Sequence, residues 1–190
     1  MCASAVSRSI YLRWSIAAVL FFGCTFTVPR WWCGLDGERW FEGTPTRVAA
    51  LAREVAATVE RGVSAKEFTS DSSLFQHEWM FGTYQMAALG LLQVCIEHPE
   101  LRDEFLPVAE KAIDQLLSKK VRAFDAKSWG EDPLDSLDGP TGHAAYLGYT
   151  NLVLALHRRI VPQSRFAELN DRISNALAQR TRWNSLHLSA

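Results

Sequence analysis

The sequence predicts an all-α protein built of antiparallel helical hairpins, with inner buried and outer amphipathic helices, behind an N-terminal apolar segment. Three observations predict it. Two stretches, residues 79–96 and 139–157, run 18 and 19 residues without a formal charge, as helices do that are apolar on every side and therefore buried all round. The segments beside them carry apolar residues at spacings of three and four, the pattern of half-buried helices. Proline punctuates the boundaries, with Pro45, Pro99 and Pro162 each standing where a helix starts.

Composition narrows the classes. With 190 residues, 48% hydrophobic and 22% charged, the chain has enough apolar side chain for a real core, which excludes a disordered body. Twenty basic against twenty-one acidic residues leave a formal charge of −1, so no global field favours nucleic acid and no nucleic-acid partner is expected. Cys2, Cys24, Cys33 and Cys95 form no C-x-x-C pair and no Cys/His spacing suited to zinc. Neither a metal nor another cofactor is expected. Cys24 and Cys33 could pair in an oxidising compartment, while Cys95 reads as a small buried apolar residue.

Residues 1–28 read as a signal peptide or membrane anchor, because Arg8 and Arg13 precede an apolar run over 14–28. That run is short for a span, which needs about 20 residues. Gly23-Cys24 resembles the end of a lipoprotein signal, with Cys24 the lipidated residue, although Phe21 and Phe22 occupy places usually held by smaller side chains. The alternative is an uncleaved anchor from about Ile10, with Arg30, Trp31 and Trp32 at the far interface. Either reading places the body outside the cytoplasm, in the cell envelope.

Residues 29–43, rich in glycine toward their end, read as a linker, and the helical body as 44–180. Thr44 offers an N-cap and Pro45 a first helical position; Val48, Leu51, Val55 and Val59 then make one stripe ending near Arg61-Gly62. Asp71, Ser72 or Ser73 can cap the first uncharged helix, which Glu97-His98-Pro99 breaks. Leu101, Phe105, Ala109, Ile113 and Leu116 form the next stripe. Residues 121–140, with Asp125, Glu131, Asp132, Asp135 and Asp138, read as a long acidic loop leading into a second uncharged helix from Gly139. Arg158 and Arg159 close that helix at the negative end of its dipole. Phe166, Leu169, Ile173 and Leu177 mark the last amphipathic helix, and 181–190 a tail. An internal echo joins residues 81–89 (FGTYQMAAL) to 147–155 (LGYTNLVLA).

This alternation of uncharged and amphipathic helices resembles the (α/α) toroids of six-hairpin glycosidases, polysaccharide lyases, uronyl epimerases and the linalool dehydratase-isomerase group. It rests on hairpin order over roughly residues 44–180, with far fewer hairpins than a complete ring, so the expectation is a partial or truncated toroid or, alternatively, a smaller helical domain. The resemblance implies a sugar or small-molecule ligand in a bowl at the N-termini of the inner helices. Two clusters fall there: His77, Glu78, Trp79, Tyr84 and Gln85, and Asp135, Asp138, His143, Tyr146, Tyr149 and Asn151.

Glu78, Asp138 and His143 are the candidate catalytic residues, since acid–base work needs paired titratable groups whose surroundings separate their pKa values. Trp79, Tyr84, Gln85, Tyr146, Tyr149 and Asn151 are the candidate substrate-binding residues. Each has a structural alternative: Glu78 favouring a helix N-terminus, Asp138 capping, His143 and the aromatics filling core. The spacing of Asp132, Asp135 and Asp138 does not match a calcium loop. Gly, Thr, Tyr and amide groups in the uncharged helices argue against membrane spans, and no nucleophile elbow or phosphate loop is present. Two functions stay open. One is an exported, membrane-tethered partial toroid enzyme; the other is a noncatalytic envelope protein that binds a partner chain through exposed helical faces or self-associates.

Overall fold

A computed structural model describes residues 3–139 and 142–187, and the side chains of 11–32, 43–139 and 142–180. Among the described residues the chain is helical throughout, with no strand: α1 (Ala3–Glu42), α2 (Pro45–Arg61), α3 (Ser73–Glu97), α4 (Arg102–Leu116), α5 (Lys119–Trp129), α6 (Ala144–Ile160) and α7 (Ala167–His187). It divides into two units, one ending at Arg47 and one beginning at Val48.

In the first unit α1 is one uninterrupted helix that carries Pro29 inside it. Its segment Tyr11–Trp32, 22 residues with none of its surface buried, is long and apolar enough to cross a membrane. At 1.5 Å per residue it reaches about 33 Å, against a hydrocarbon core of about 30 Å. Thr25 and Thr27 donate to the carbonyls of Phe21 and Gly23 at 2.7 and 2.6 Å, so even their hydroxyls are satisfied within the helix. The expected linker is helical as far as Glu42. A Cys24–Cys33 disulfide is incompatible with this helix, because nine residues of rise separate the two by about 13 Å, twice the Cα separation a disulfide allows.

The second unit is built on α3. Ser72 caps it by accepting from the Phe75 N–H at 3.4 Å, and Met80, Phe81, Tyr84, Ala88, Leu91, Leu92 and Cys95 form its buried face. α4, α5 and α6 all pack against that face, as do the short 3-10 turns Ala65–Glu67 and Pro99–Leu101. α4 contributes Phe105, Ala109, Ala112, Ile113 and Leu116, all buried. The helix expected to be outer is therefore as deeply packed along its stripe as the one expected to be inner. Nor is α3 buried all round, since Phe75, Trp79 and Met86 are exposed on its other side; α6 likewise exposes Tyr149 and Leu152.

Three boundaries differ from the sequence reading. The acidic loop is interrupted by α5, which Ser118 caps and Gly130 ends with φ +78°. Its inward residues are Val121, Arg122 and Asp125, so no apolar stripe marks it in the sequence. α6 starts at Ala144 rather than Gly139, because Gly142 and His143 both have positive φ (78° and 60°) and turn the chain before the helix begins. α7 starts after a turn in which Ser164 Oγ accepts from the Phe166 N–H at 3.1 Å, and its backbone stays helical through the expected tail to His187.

Burial on α3 sets the scale of its contribution. Leu92 is fully buried while Leu152 on α6 is 53% exposed. Leu92→Ala is expected to cost about 2–5 kcal/mol and Leu152→Ala less than about 0.5 kcal/mol in denaturant unfolding; equal losses would mean that α3 is not the core helix.

Candidate functional site

Among the described residues no hydrogen bond or ion pair joins one predicted site residue to another. Glu78 on α3 and Asp138 in the loop after α5 are both exposed. Tyr84 is buried and its hydroxyl accepts from the Val63 N–H at 2.8 Å, tying the end of α2 to α3. Gln85 is buried on the core face. The Tyr146 hydroxyl donates to the Leu116 carbonyl at 2.9 Å, and burial pushes its pKa far above the ordinary phenol value, opposed by the charge of Arg122. Asn151 clasps α7, accepting from Asn170 Nδ2 at 2.7 Å and donating to Ser174 at 2.9 Å. Tyr149 is exposed. His77 Nδ1 faces the Ser73 carbonyl at 2.6 Å, a local bond within α3. Cys24 is exposed on α1, and burial raises the pKa of the Cys95 thiol, which keeps it protonated.

His143 has other partners than Asp138. Its Nδ1 is bonded to the buried Asp125 of α5, and its Nε2 lies 3.6 Å from Glu131, too far for a hydrogen bond. The ring packs against Trp129 with centroids 5.7 Å apart. An aspartate orienting a histidine is half of a general-base arrangement, but the base must reach its proton. Here the histidine is fully buried and Nε2 meets no solvent.

A second relay, which the sequence reading missed, has the connectivity of a nucleophilic triad. Ser164 Oγ is 2.8 Å from His157 Nδ1, and His157 Nε2 is 2.9 Å from Glu110. It too is buried. Ser164 is occupied with the Phe166 N–H, and His157 stands edge-on to Phe166. These groups join α4, α6 and the turn before α7, a structural tie rather than a reacting site.

The 130–143 loop is pinned by charge. Arg122 grips Asp132 with Nε at 2.9 and 2.7 Å from its two oxygens and also donates to the Leu117 carbonyl. Burial alone would raise the Asp132 carboxyl, but hydrogen bonds from Arg122 and from the Leu134 and Asp135 N–H groups, with the Arg122 charge, hold it below its ordinary value. From α7, Arg180 donates to the carbonyls of Ser136, Gly139 and Gly142 at 2.9, 3.2 and 2.9 Å.

An opening of another kind lies between α2 and α3. Val48, Leu51 and Val55 of α2 face Trp79, Gly82, Met86, Gly90 and Val94 of α3 across a groove of about 650 Å³. Trp79 is 62% and Met86 65% exposed there. Along its other side α2 contacts α4: Arg53 forks onto Glu104 at 2.7 and 3.1 Å, and Lys111 donates to the Glu60 carbonyl at 3.3 Å. Thr58 and Thr83 also line it, but their hydroxyls donate to the carbonyls of Glu54 and Trp79 on their own helices at 3.1 and 2.8 Å. The walls therefore carry no charge, both lining hydroxyls are committed, and the Trp79 indole N–H is the one further side-chain donor among them. Trp79, expected to stack on a substrate, stacks on Phe68 at 6.5 Å and forms one wall. Among the described residues, no group of three or more His, Cys, Asp or Glu side chains could hold a metal ion.

No family model matches the chain, and neither a curated protein nor a solved structure matches it.

Two tests follow from the pinned loop. Gly130 and Gly142 share φ +78°, but a Cβ on Gly130 meets open space while one on Gly142 stands 2.8 Å from the Trp129 ring. Gly130→Ala should lose about 1–2 kcal/mol from the left-handed backbone alone, and Gly142→Ala about 1–3 kcal/mol more, measured by denaturant unfolding. For Asp132 the folded value is depressed, so its contribution is present above the unfolded carboxylate range near pH ~4 and is lost as pH falls through the folded value. Urea unfolding across that range should give a shallower acid limb for Asp132→Asn than for the wild type; parallel limbs would contradict the Arg122 pairing.

Proposed function

We propose that this chain is a noncatalytic, exported, membrane-tethered helical domain that holds an apolar ligand or an apolar segment of a partner chain in the α2/α3 groove. The supporting observation is the groove itself, which is lined by aliphatic and aromatic side chains with every lining hydroxyl already committed to its own helix. Ligand sites are commonly apolar clefts of this size, but enzyme sites add convergent titratable groups. Here the titratable groups are elsewhere: Glu78 and Asp138 are exposed and outside the groove lining, and His143 and His157 are buried.

The tether is the apolar helix segment Tyr11–Trp32. Arg8 and Arg13 give it the basic flank of an export signal, and Arg30, Trp31 and Trp32 suit an interface. Only residues 33–47 separate that segment in sequence from the first groove residue, Val48, so anchoring it confines the body to the neighbourhood of a membrane. α3 also passes a length and composition test for a span, but about half of it is buried. That degree of burial is expected of the central helix of a folded body.

The test replaces Met86 with a photoreactive methionine analogue in the full membrane-bound chain and uses the same analogue at Glu54, which is exposed but outside the groove. A light-dependent mass adduct at position 86 and not at 54 is expected. Equal labelling at both positions, or none at 86, rejects the groove as a binding site.

A further inference from the structure

We infer that the groove's occupant is one acyl chain of a bilayer phospholipid; this deepens the binding-domain reading and rests on it. Size argues first. At about 650 Å³ the groove lies within the range of about 300–1,000 Å³ that small-molecule sites occupy. Its 13 lining residues fall short of the roughly 20–30 that a stable protein interface uses on each side. A second protein seated there would need most of its contact area outside the groove.

Chemistry argues the same way. Specific protein interfaces carry direct hydrogen bonds around an apolar centre. The groove has few to offer: Thr58 and Thr83 donate to their own helix carbonyls, which leaves the Trp79 indole N–H as the remaining side-chain donor on its walls. Such walls suit an occupant that is apolar along the inserted length. An acyl chain satisfies this over its whole length.

Shape and supply complete the case. The lining runs from Trp79 to Val94 on α3, about 22 Å of helix, and from Val48 to Thr58 on α2, about 15 Å. That is a slot of the length of a common fatty acyl chain. Gly82 and Gly90 form part of its wall, and a Cβ on either meets no atom within 4 Å, so the missing side chains are space left in the groove rather than close packing of helices. The apolar helix of the same chain, held in a bilayer, supplies phospholipid at high local concentration.

The experiment uses the full chain in phosphatidylcholine nanodiscs that include a phosphatidylcholine bearing a diazirine near the end of one acyl chain. After irradiation, adducts are located by peptide mass spectrometry. Adducts are expected on Leu51, Val55, Trp79 and Met86, with those on Tyr11–Trp32 as an internal reference. In the double variant Gly82→Leu, Gly90→Leu, which fills the slot, groove adducts should fall at least tenfold relative to that reference. Gly90→Ala, which leaves the slot open, should retain them. Should the double variant not fold, Met86→Trp provides the block at an already exposed side chain. Groove adducts that persist in the filled protein, or labelling confined to the reference helix, overturn the proposal. If no acyl adduct forms but the photoreactive residue at position 86 captures an apolar helical peptide, the lipid assignment fails and the binding-domain reading stands. If neither is captured, both fail.

Discussion

One helix serves as the packing surface for three of the other helices and both 3-10 turns. α4, α5, α6 and two 3-10 turns meet on α3, and its small residues Ala87 and Ala88, with Ala109 and Ala112 on α4, allow close approach of the most extensively packed pair. A helix can bury only so much of its circumference this way. α3 is apolar on the remaining side as well, and α2, tied to α3 at its end through Tyr84 and to α4 through Arg53–Glu104 and Lys111, covers that side only in part. α2 buries only Ala49, Ala52, Ala56 and Val59. Its larger residues Leu51 and Val55 stay exposed across from Trp79 and Met86. The groove is thus the consequence of a core helix with more apolar surface than its neighbours can reach.

The charged residues of the second unit are spent on architecture. Turning the chain from α5 into α6 requires two consecutive left-handed residues, Gly142 and His143, and the second is not glycine. A non-glycine residue there is strained, though histidine is among the residues that tolerate it best. Asp125 fixes the imidazole, Trp129 covers it, and Arg180 gathers four carbonyls of the loop. Buried acid–histidine pairs invite a catalytic reading, but structural networks hold such pairs too. In this fold the same side chains that would be candidates for proton transfer are those that hold an otherwise unfavourable backbone turn.

The all-α class, the Thr44-Pro45 start of α2, the Ser72 cap, the break at Pro99 and the stripe of α4 were legible because each is a local pattern: a capping residue, a ring that cannot continue a helix, a period of three to four. α5 was not, because its inward face presents Arg122 and Asp125, which no apolar periodicity can register, although Ser118 and Gly130 marked its ends. Reading the uncharged helices as buried on every side failed for a different reason. Absence of charge sets what a helix can bury, and the number of neighbours sets what it does bury. Of the candidate site residues, Trp79 lies on a ligand-sized opening, but as wall rather than as stacking platform for a sugar. Tyr84, Tyr146, Asn151 and His143 were chosen for polar chemistry and are occupied with carbonyls, N–H groups and neighbouring side chains, pairings that depend on contacts 18 to 30 residues apart in the chain.

The glycines of α3 bear on whether the groove is an accident of packing. In the interior of a helix each glycine costs about 0.8–1 kcal/mol relative to alanine, a loss normally offset by close approach of another backbone or by a positive φ. Neither applies at Gly82 or Gly90, where an added Cβ would meet nothing and the backbone is helical. Gly148 of α6 is equally unobstructed, so an open glycine alone distinguishes nothing. The α3 pair differs in standing opposite a second wall, with Met86 between them on the same face. Larger side chains there would raise helix propensity and bury apolar surface, two stabilising changes at once, while closing the slot. A sequence shaped by stability alone would fill that space, so the open groove is better explained by an occupant that supplies the missing apolar contacts from outside the chain.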